Sequence, residues 1–411
     1  MPSSQTILIV VGTRPEAIKM APVYYALKQA GIDTRWCATM QHAALASDVF
    51  TLFSIQPDFC LDVMQQGQDL FHITTTVLER IKPILQQTRP ALVLVHGDTT
   101  TTFAAGLAAF YEHIPVMHVE AGLRTDTVFE PFPEEANRRM VDTISTYHCV
   151  PTQREAEQLK AYGISHNSIV CTGNTIVDAV CMILERIDAG EYPIDPTIRQ
   201  TVSHARAHGK KIMLLTTHRR EALAARTMEQ LLYTAQRFVQ EHPQVQCIYP
   251  YHPNPAIMQI ITQIGMHKEP NVLLCAPLSY AELLYVLRNA HVVLTDSGGI
   301  QEEAVTLGVQ VLIARERTER MQAVNAGYAH LVGFDHERIT TLLALALEKE
   351  RSVDSLVTLF GDGYASARIA HLVKLSINHN RAEAALDAYY REALTIVPRT
   401  WQGSTWSVFV S

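Results

Sequence analysis

The sequence predicts an α/β protein built from two Rossmann-like, doubly wound domains that face each other across a cleft (GT-B type). Three observations predict it. Short apolar runs of strand length alternate with segments of helical period. The runs carry no polar alternation, as expected of strands covered on both faces in parallel sheets. The alternation also breaks once, around residues 187–196, where Asp188, Gly190, Pro193 and Pro196 cluster, and restarts at Lys211. A chain of 411 residues has room for two or three domains, each with a large core.

Taken in order, Thr6–Val11 is a continuous apolar strand, and Pro15–Gln29 follows as a helix with proline in its first turn. Ala91–Val95, Ile114–Val119, Tyr147–Val150 and Ile169–Cys171 repeat the strand type. Beyond the break come Ile212–Leu215, Gln246–Tyr249, Val272–Leu274, Val292–Thr295 and Val309–Ile313, with helical periods between them such as Glu282–Asn289. The expected division is 1–172 for the first domain, with the acid/base residues, and 173–365 for the second, with the nucleotide site. Residues 366–411 are then C-terminal helices, running to about Glu392, and a tail. No segment repeats and none is low in complexity.

Composition narrows the function. Hydrophobic residues at 47% and charged residues at 18% mark a globular chain. Thirty-four basic against 41 acidic side chains give a net charge of −7, which argues against a nucleic-acid partner; an anionic ligand must meet a local cationic cluster. The longest apolar run, Phe103 to Tyr111, is far short of the ~20 residues that span a bilayer. No basic run precedes the first strand, so no signal peptide is expected. The 7 cysteines are odd in number and contain no CxxC, as in a cytoplasmic protein with buried, reduced thiols.

Four motifs sit where strands end, the place at which ligands bind in such sheets. Gly12-Thr13-Arg14-Pro15-Glu16-Ala17-Ile18-Lys19 follows the first strand. Its glycine lets a ligand approach the backbone, the helix start favours anions, and Arg14 and Lys19 suit phosphate oxygens. It is not GxGxxG, so a dinucleotide fingerprint is absent. Asp296-Ser297-Gly298-Gly299 opens a later helix and offers Ser297, Gly298 and Gly299 to a phosphate, with Glu303 placed for ribose hydroxyls; helix capping by Asp296 or Ser297 is the alternative. An acidic set comprises Asp98 and Glu120, at the ends of consecutive strands, and Glu134 in the run Phe132–Arg138; carboxylates gathered there separate one another's pKa values into an acid and a base. Capping for Asp98 and helix-dipole compensation for Glu134 are the structural alternatives. Finally, His218-Arg219-Arg220 after Ile212–Leu215 suits a pyrophosphate and a proton donor, and His252 ends another strand. The His204/His208 pair lacks a third metal ligand, and nothing resembles HExxH or a Cys/His zinc set.

These residues resemble the non-hydrolysing UDP-N-acetylglucosamine 2-epimerases. The resemblance rests on GTRPEAIKMAP from Gly12, VHGDT from Val95, HVEAGLRT from His118, PFPEEANR from Pro131, HRRE from His218, DSGGIQEEA from Asp296, GNT with Asp178 after it, and GDGYAS from Gly361. It covers about residues 6–375. It implies the GT-B fold with a C-terminal helix crossing back to the first domain, a homodimer, and no metal or other cofactor. It implies interconversion of UDP-GlcNAc and UDP-ManNAc. Asp98, Glu120, Glu134 and His218 match catalytic positions, and Arg14, Lys19, Ser297, Gly298, Gly299 and Glu303 match the nucleotide-binding set. Arg138, Arg219 and His252 complete the expected UDP-sugar-binding set, with a packed loop residue the alternative for His252.

The chemistry fits such parts. The hydrogen at sugar carbon 2 is not α to a carbonyl, so simple enolisation cannot invert it. Elimination of UDP gives an unsaturated acetamidoglucal, and re-addition gives the other epimer; domain closure would keep the intermediate in place. Many members use a second UDP-GlcNAc as activator, yet Gln41-His42 is followed here by Ala43-Ala44, and Gly67 stands where an arginine is expected. Weak or absent activation is therefore expected. Ala222 after HRRE and Met321-Gln322 also depart from the pattern. Competing readings are a 2-epimerase of a modified UDP-sugar such as UDP-2,3-diacetamido glucuronate, a GT-B glycosyltransferase, and a UDP-sugar binder without catalysis.

Overall fold

The computed structural model describes residues 5–39, 49–65, 67–217, 224–297, 299–315, 318, 320–350, 356–379 and 382–393. It divides into two compact units, Met1–Cys181 with Phe360–Ser411, and Met182–Leu359. The division falls inside the helix Thr175–Asp188.

In the first unit, β1 (Ile7–Val11), β2 (Thr34–Ala38), β3 (Phe59–Cys60), β4 (Leu92–His96), β5 (Val116–Val119), β6 (Tyr147–Val150) and β7 (Ile169–Cys171) form one sheet. Its order is β3-β2-β1-β4-β5-β6-β7, and every pairing is parallel. The continuous apolar runs behave as their composition demands: all five residues of β1 are buried. Leu8 and Val10 pack with Ile73, Val77, Ile81 and Leu85, spaced by four along the helix Leu70–Thr88, and with the alanines of the helix Thr100–Tyr111. The helix Arg14–Gln29 starts one residue before the expected Pro15 and contacts the C-terminal helix Ala365–Asn378.

The second unit repeats the plan. β8 (Lys211–Thr216), β9 (Val245–Pro250), β10 (Val272–Cys275), β11 (Val292–Thr295), β12 (Gln310–Ile313) and β13 (Ala329–Leu331) pair in the order β10-β9-β8-β11-β12-β13, again all parallel. Both orders reverse direction once, between β1 and β4 and between β8 and β11. A doubly wound sheet opens a crevice beyond the strand ends at such a reversal.

Three strands lie outside the sequence reading: β2, β3 and β13. Arg35 interrupts β2, and β3 and β13 are edge strands of two and three residues. The cysteines also differ from expectation: Cys37, Cys149, Cys181 and Cys247 are buried, but Cys60 and Cys171 are exposed at strand ends. Among the described residues, no helix is long and apolar enough to cross a membrane.

Candidate active site

The reversal point of the first unit carries three loops. The loop after β1 holds Gly12, Thr13 and Arg14. Gly12 has no room for a side chain, because a Cβ there would lie 2.2 Å from Thr101 Oγ1. The space a side chain would fill is thus taken by Thr101, whose hydroxyl also bonds Thr39 at 3.1 Å. Glu16, one turn into the helix, is buried and accepts the backbone N–H groups of Gly12 at 2.7 Å and Thr13 at 2.6 Å on Oε2. Its Oε1 accepts the hydroxyls of Thr99 at 2.6 Å and Thr102 at 2.8 Å, so one carboxylate ties the loop after β1 to the loop after β4. Burial pushes the Glu16 carboxyl up, against the pull of those four donors. Arg14 is half-buried, and its guanidinium forms no hydrogen bond or ion pair among the described residues.

In the loop after β4, Gly97 takes φ +68°, which turns the chain so that Asp98 leaves the sheet edge. Asp98 does not cap the following helix; Thr99 does, accepting from the N–H of Thr102 at 3.2 Å. The Asp98 carboxylate instead receives Arg138 Nη2 at 2.6 Å, and its carbonyl receives the Asn137 amide at 2.9 Å. Arg138 is buried on the helix Glu134–Ile144.

Glu120 follows β5. His96 of β4 pairs in register with Val119 of β5, so Gly97 and Glu120 emerge side by side. Glu120 has φ +63°, a left-handed conformation that costs a non-glycine residue about 1–2 kcal/mol. Its Oε2 accepts Lys19 Nζ at 2.5 Å and Asn174 Nδ2 at 2.9 Å, and His96 Nε2 stands 3.7 Å away. Lys19, read from sequence as a phosphate ligand, is therefore the cation of Glu120 in this structure. Glu134 is half-buried at the first turn of the helix that carries Arg138. Its neighbour Glu135 is the buried carboxylate, accepting Arg139 Nε at 2.6 Å and the N–H of Thr125 at 3.1 Å, with Arg138 Nη1 at ion-pair distance, 3.2 Å away.

Behind these loops runs a buried chain of charges. Asp142 accepts Arg124 Nη2 at 2.6 Å and faces His118 Nδ1 at 2.6 Å, while His118 Nε2 meets the carbonyl of Gly97 at 2.7 Å. Burial works against the Asp142 carboxylate, but His118, Arg124 and His148 together outweigh it and hold its pKa below the usual value. Through His118 this chain braces the turn that presents Asp98.

In the second unit, β8 ends at Thr216, whose hydroxyl bonds Thr295 of β11 at 2.7 Å, and Thr217 bonds the Tyr249 hydroxyl at 2.8 Å. His218 and Arg219 lie outside the described residues, as does Gly298. Ser297 is half-buried, its N–H bonded to Thr295 Oγ1 at 2.9 Å, and Gly299 precedes the helix Ile300–Thr306, which has no side-chain cap. Glu303 is buried on that helix, and His252 is exposed beyond β9. Among the described residues no cluster of three His, Cys, Asp or Glu side chains is placed to hold a metal ion.

A family model described as UDP-N-acetylglucosamine 2-epimerase matches residues 25–374. The UDP-N-acetylglucosamine 2-epimerase of Escherichia coli K12 is 41% identical over 382 residues, covering 90% of this chain and 98% of the relative. The chain belongs to the UDP-N-acetylglucosamine 2-epimerase family. Among solved structures, that of the Neisseria meningitidis UDP-GlcNAc 2-epimerase bound to UDP-GlcNAc has a TM-score of 0.76 at 37% identity, covering 89% of this chain and 98% of that one. The Methanocaldococcus jannaschii UDP-GlcNAc 2-epimerase in complex with UDP-GlcNAc and UDP has a TM-score of 0.72 at 30% identity, covering 90% and 99%.

Membership places the chain among isomerases, and the fold class is the one expected: two α/β units with parallel sheets, as in the GT-B-like epimerases. Of the site residues named from the sequence, the structure brings Lys19 and Glu120 into one contact and Arg138 and Asp98 into another. Glu16, Asn174, His96 and the Arg124–Asp142–His118 chain were not singled out as site residues. The signal for Glu16 was present in the PEAIK run, where a glutamate at the third helical position commonly reaches back to the loop. Nothing local marks Asn174, whose partner Glu120 is distant in sequence.

Proposed function

We propose that this epimerase interconverts UDP-GlcNAc and UDP-ManNAc by elimination and re-addition of UDP. A base takes the hydrogen from carbon 2, the bond from carbon 1 to the diphosphate oxygen breaks, and its electron pair leaves with UDP. The 2-acetamidoglucal that remains is protonated at carbon 2 on the opposite face while UDP re-adds at carbon 1. Asp98, Glu120 and Glu134 are the acid/base candidates, each worth ~10²–10⁴ in rate, with His218 beside the departing phosphate. Arg14, Lys19, Arg138, Arg219, His252, Ser297, Gly298, Gly299 and Glu303 form the UDP-sugar-binding set, and cationic donors there stabilise the charge on the leaving diphosphate.

The observation that carries this reading is the pairing of Asp98 with Arg138 and of Glu120 with Lys19 at the strand reversal of the first unit. Two bases and two cations stand where a doubly wound sheet receives its ligand, and a related structure carries UDP-GlcNAc. The enzyme acts without metal, as a cytoplasmic homodimer, and UDP-GlcNAc activates it weakly or not at all. Of the residues behind that last point, Gln41, His42, Ala43 and Ala44 lie outside the described residues, while Gly67 has φ +75°.

The test is incubation with UDP-GlcNAc in heavy water, followed at carbon 2 by NMR. Deuterium at carbon 2 with growth of the manno isomer supports the proposal. Exchange confined to a modified UDP-sugar, sugar transfer to an added acceptor, or binding with no exchange each replaces it with one of the competing readings.

A further inference from the structure

The proposed reaction gives the imidazole of His96 no role. Its ring is 3% exposed, and neither ring nitrogen has a hydrogen-bond partner among the described residues. A buried donor without an acceptor is unfavourable and calls for an explanation. The ring is not remote from chemistry. Nε2 stands 3.7 Å from Glu120 Oε2, the oxygen that already accepts Lys19 at 2.5 Å and Asn174 at 2.9 Å. Strand register fixes that approach, because His96 and Val119 are paired and Glu120 follows directly.

We propose that His96 is a positioning residue for Glu120, whose Nε2–H becomes the donor to Glu120 Oε2 when an anionic diphosphate draws Lys19 off that carboxylate. This rests on the proposed function, in which Lys19 meets the ligand. The charged groups facing the ring are Glu120, Lys19 and His118. Burial holds the imidazole neutral, with its pKa lowered to about 4; Glu120 opposes this, and Lys19 and His118 add to it. A neutral ring supplies one N–H and no competing charge. It can thus replace the lysine as donor without fixing Glu120 in a second full ion pair. Asn174 keeps its bond throughout and marks the pivot about which the carboxylate turns by less than the length of a hydrogen bond.

The experiment compares His96→Leu, which keeps bulk and removes the donor, with His96→Gln, which keeps a donor. Loss of a donor to the ionised carboxylate raises the pKa of Glu120, so the acid limb of the kcat profile moves to higher pH. Expected for His96→Leu is a kcat lower by ~10-fold or more, a KM within about threefold, and an acid limb about one pH unit higher. His96→Gln keeps kcat within about threefold and leaves the limb in place. An unmoved limb in folded His96→Leu, or equal losses in both variants, overturns the proposal. A second readout does not depend on turnover. With histidine labelled by nitrogen-15 and His96 assigned through the Gln variant, UDP added to the wild type moves the His96 Nε2 signal. An unmoved signal in UDP-saturated protein overturns the hand-over even where epimerisation is normal. An inactive wild type with the signal shift intact overturns the proposed reaction and leaves the hand-over standing.

Discussion

Glu16 offers the most quantitative test of how the site is built. Its carboxylate holds two backbone N–H groups with one oxygen and two threonine hydroxyls with the other. The Thr102 hydroxyl has a second acceptor, the carbonyl of His96 at 2.6 Å, so loss of Glu16 leaves it satisfied. The Thr99 hydroxyl can turn to Thr102 Oγ1 at 3.1 Å. Two donors remain to be orphaned, the N–H groups of Gly12 and Thr13. At about 1–3 kcal/mol for each buried donor, Glu16→Ala should cost about 4 kcal/mol. Glu16→Gln should cost about 1 kcal/mol. Its amide oxygen can keep both N–H groups while its NH₂ faces the threonine oxygens, which rotate to accept. What is lost is charge assistance, and that is offset by no longer burying a charge.

The assay is urea denaturation followed through the first unfolding transition, with epimerase rates on the folded fractions. Because Glu16 joins the loop of Arg14 to the loop of Asp98, Ala should also reduce kcat by ~10²-fold, the effect of about 1 Å of misplacement, while Gln stays within about tenfold. Two outcomes refute the reasoning. In one, Glu16→Ala destabilises by less than 1 kcal/mol, so the four bonds are not holding the loops. In the other, Gln is as damaging as Ala, so charge rather than bond count is what the loops need.

Further expectations follow from other contacts. Gly12→Ala should destabilise by about 1–3 kcal/mol through its clash with Thr101, and adding Thr101→Ala should recover part of that; equal melting temperatures for Gly12→Ala and wild type count against the close approach. Asp178 accepts the N–H and hydroxyl of Ser366 and the N–H of Ala365 at the start of the C-terminal helix, yet burial raises its pKa from 3.8 to about 6. A raised carboxyl favours the folded state below pH ~4, and that advantage fades as pH rises through about 6, by about 3 kcal/mol. Asp178→Asn should remove this slope, and parallel denaturation curves for both proteins from pH 4 to 7 would exclude it. Arg14→Ala should raise the ratio of free UDP and glucal to epimer, since the half-buried Arg14 guanidinium has no partner among the described residues and is available to the diphosphate; an unchanged ratio speaks against that assignment. UDP-ManNAc should turn over without added UDP-GlcNAc, and a lag abolished by UDP-GlcNAc would contradict the reading of Ala44 and Gly67.

The parts of the fold legible in the sequence were those that a single physical constraint dictates. Strands buried on both faces must be apolar throughout, and β1, β4 and β11 were read from that alone. Edge strands escape the constraint: β3 needs only Phe59 and Cys60. Within the site, Asp98 and Glu120 were legible because doubly wound sheets bring strand ends together. Their partners were not, because sequence fixes which charge a side chain carries but not which opposite charge it meets. Lys19 illustrates this. A lysine one turn into a helix after a glycine loop suits a phosphate, and nothing local says that a carboxylate 101 residues later will occupy it. Gly12 shows the same limit, since nothing local says that its missing side chain makes room for Thr101.

On the proposed reading, the pairing of each candidate base with a cation from the same site bears on how the enzyme avoids idle chemistry. A lone carboxylate in a partly buried pocket is costly, so Asp98 and Glu120 each need a counter-charge when no ligand is bound. Arg138 and Lys19 provide it. A diphosphate carries charge of the same sign as the carboxylates and competes for the same cations. On the proposed reading, a UDP-sugar thus loosens the bases by the act of binding and presents its sugar where they stand. A neutral sugar without the diphosphate has nothing to offer Lys19 or Arg138, and the bases stay engaged. Specificity for the nucleotide and activation of the base then have one electrostatic origin. The discriminating measurement is proton exchange at carbon 2 of the acetamidoglucal. Exchange should be negligible with the glucal alone and should appear when UDP is added. Equal exchange with and without UDP would mean that the bases are free at rest, in conflict with the two ion pairs.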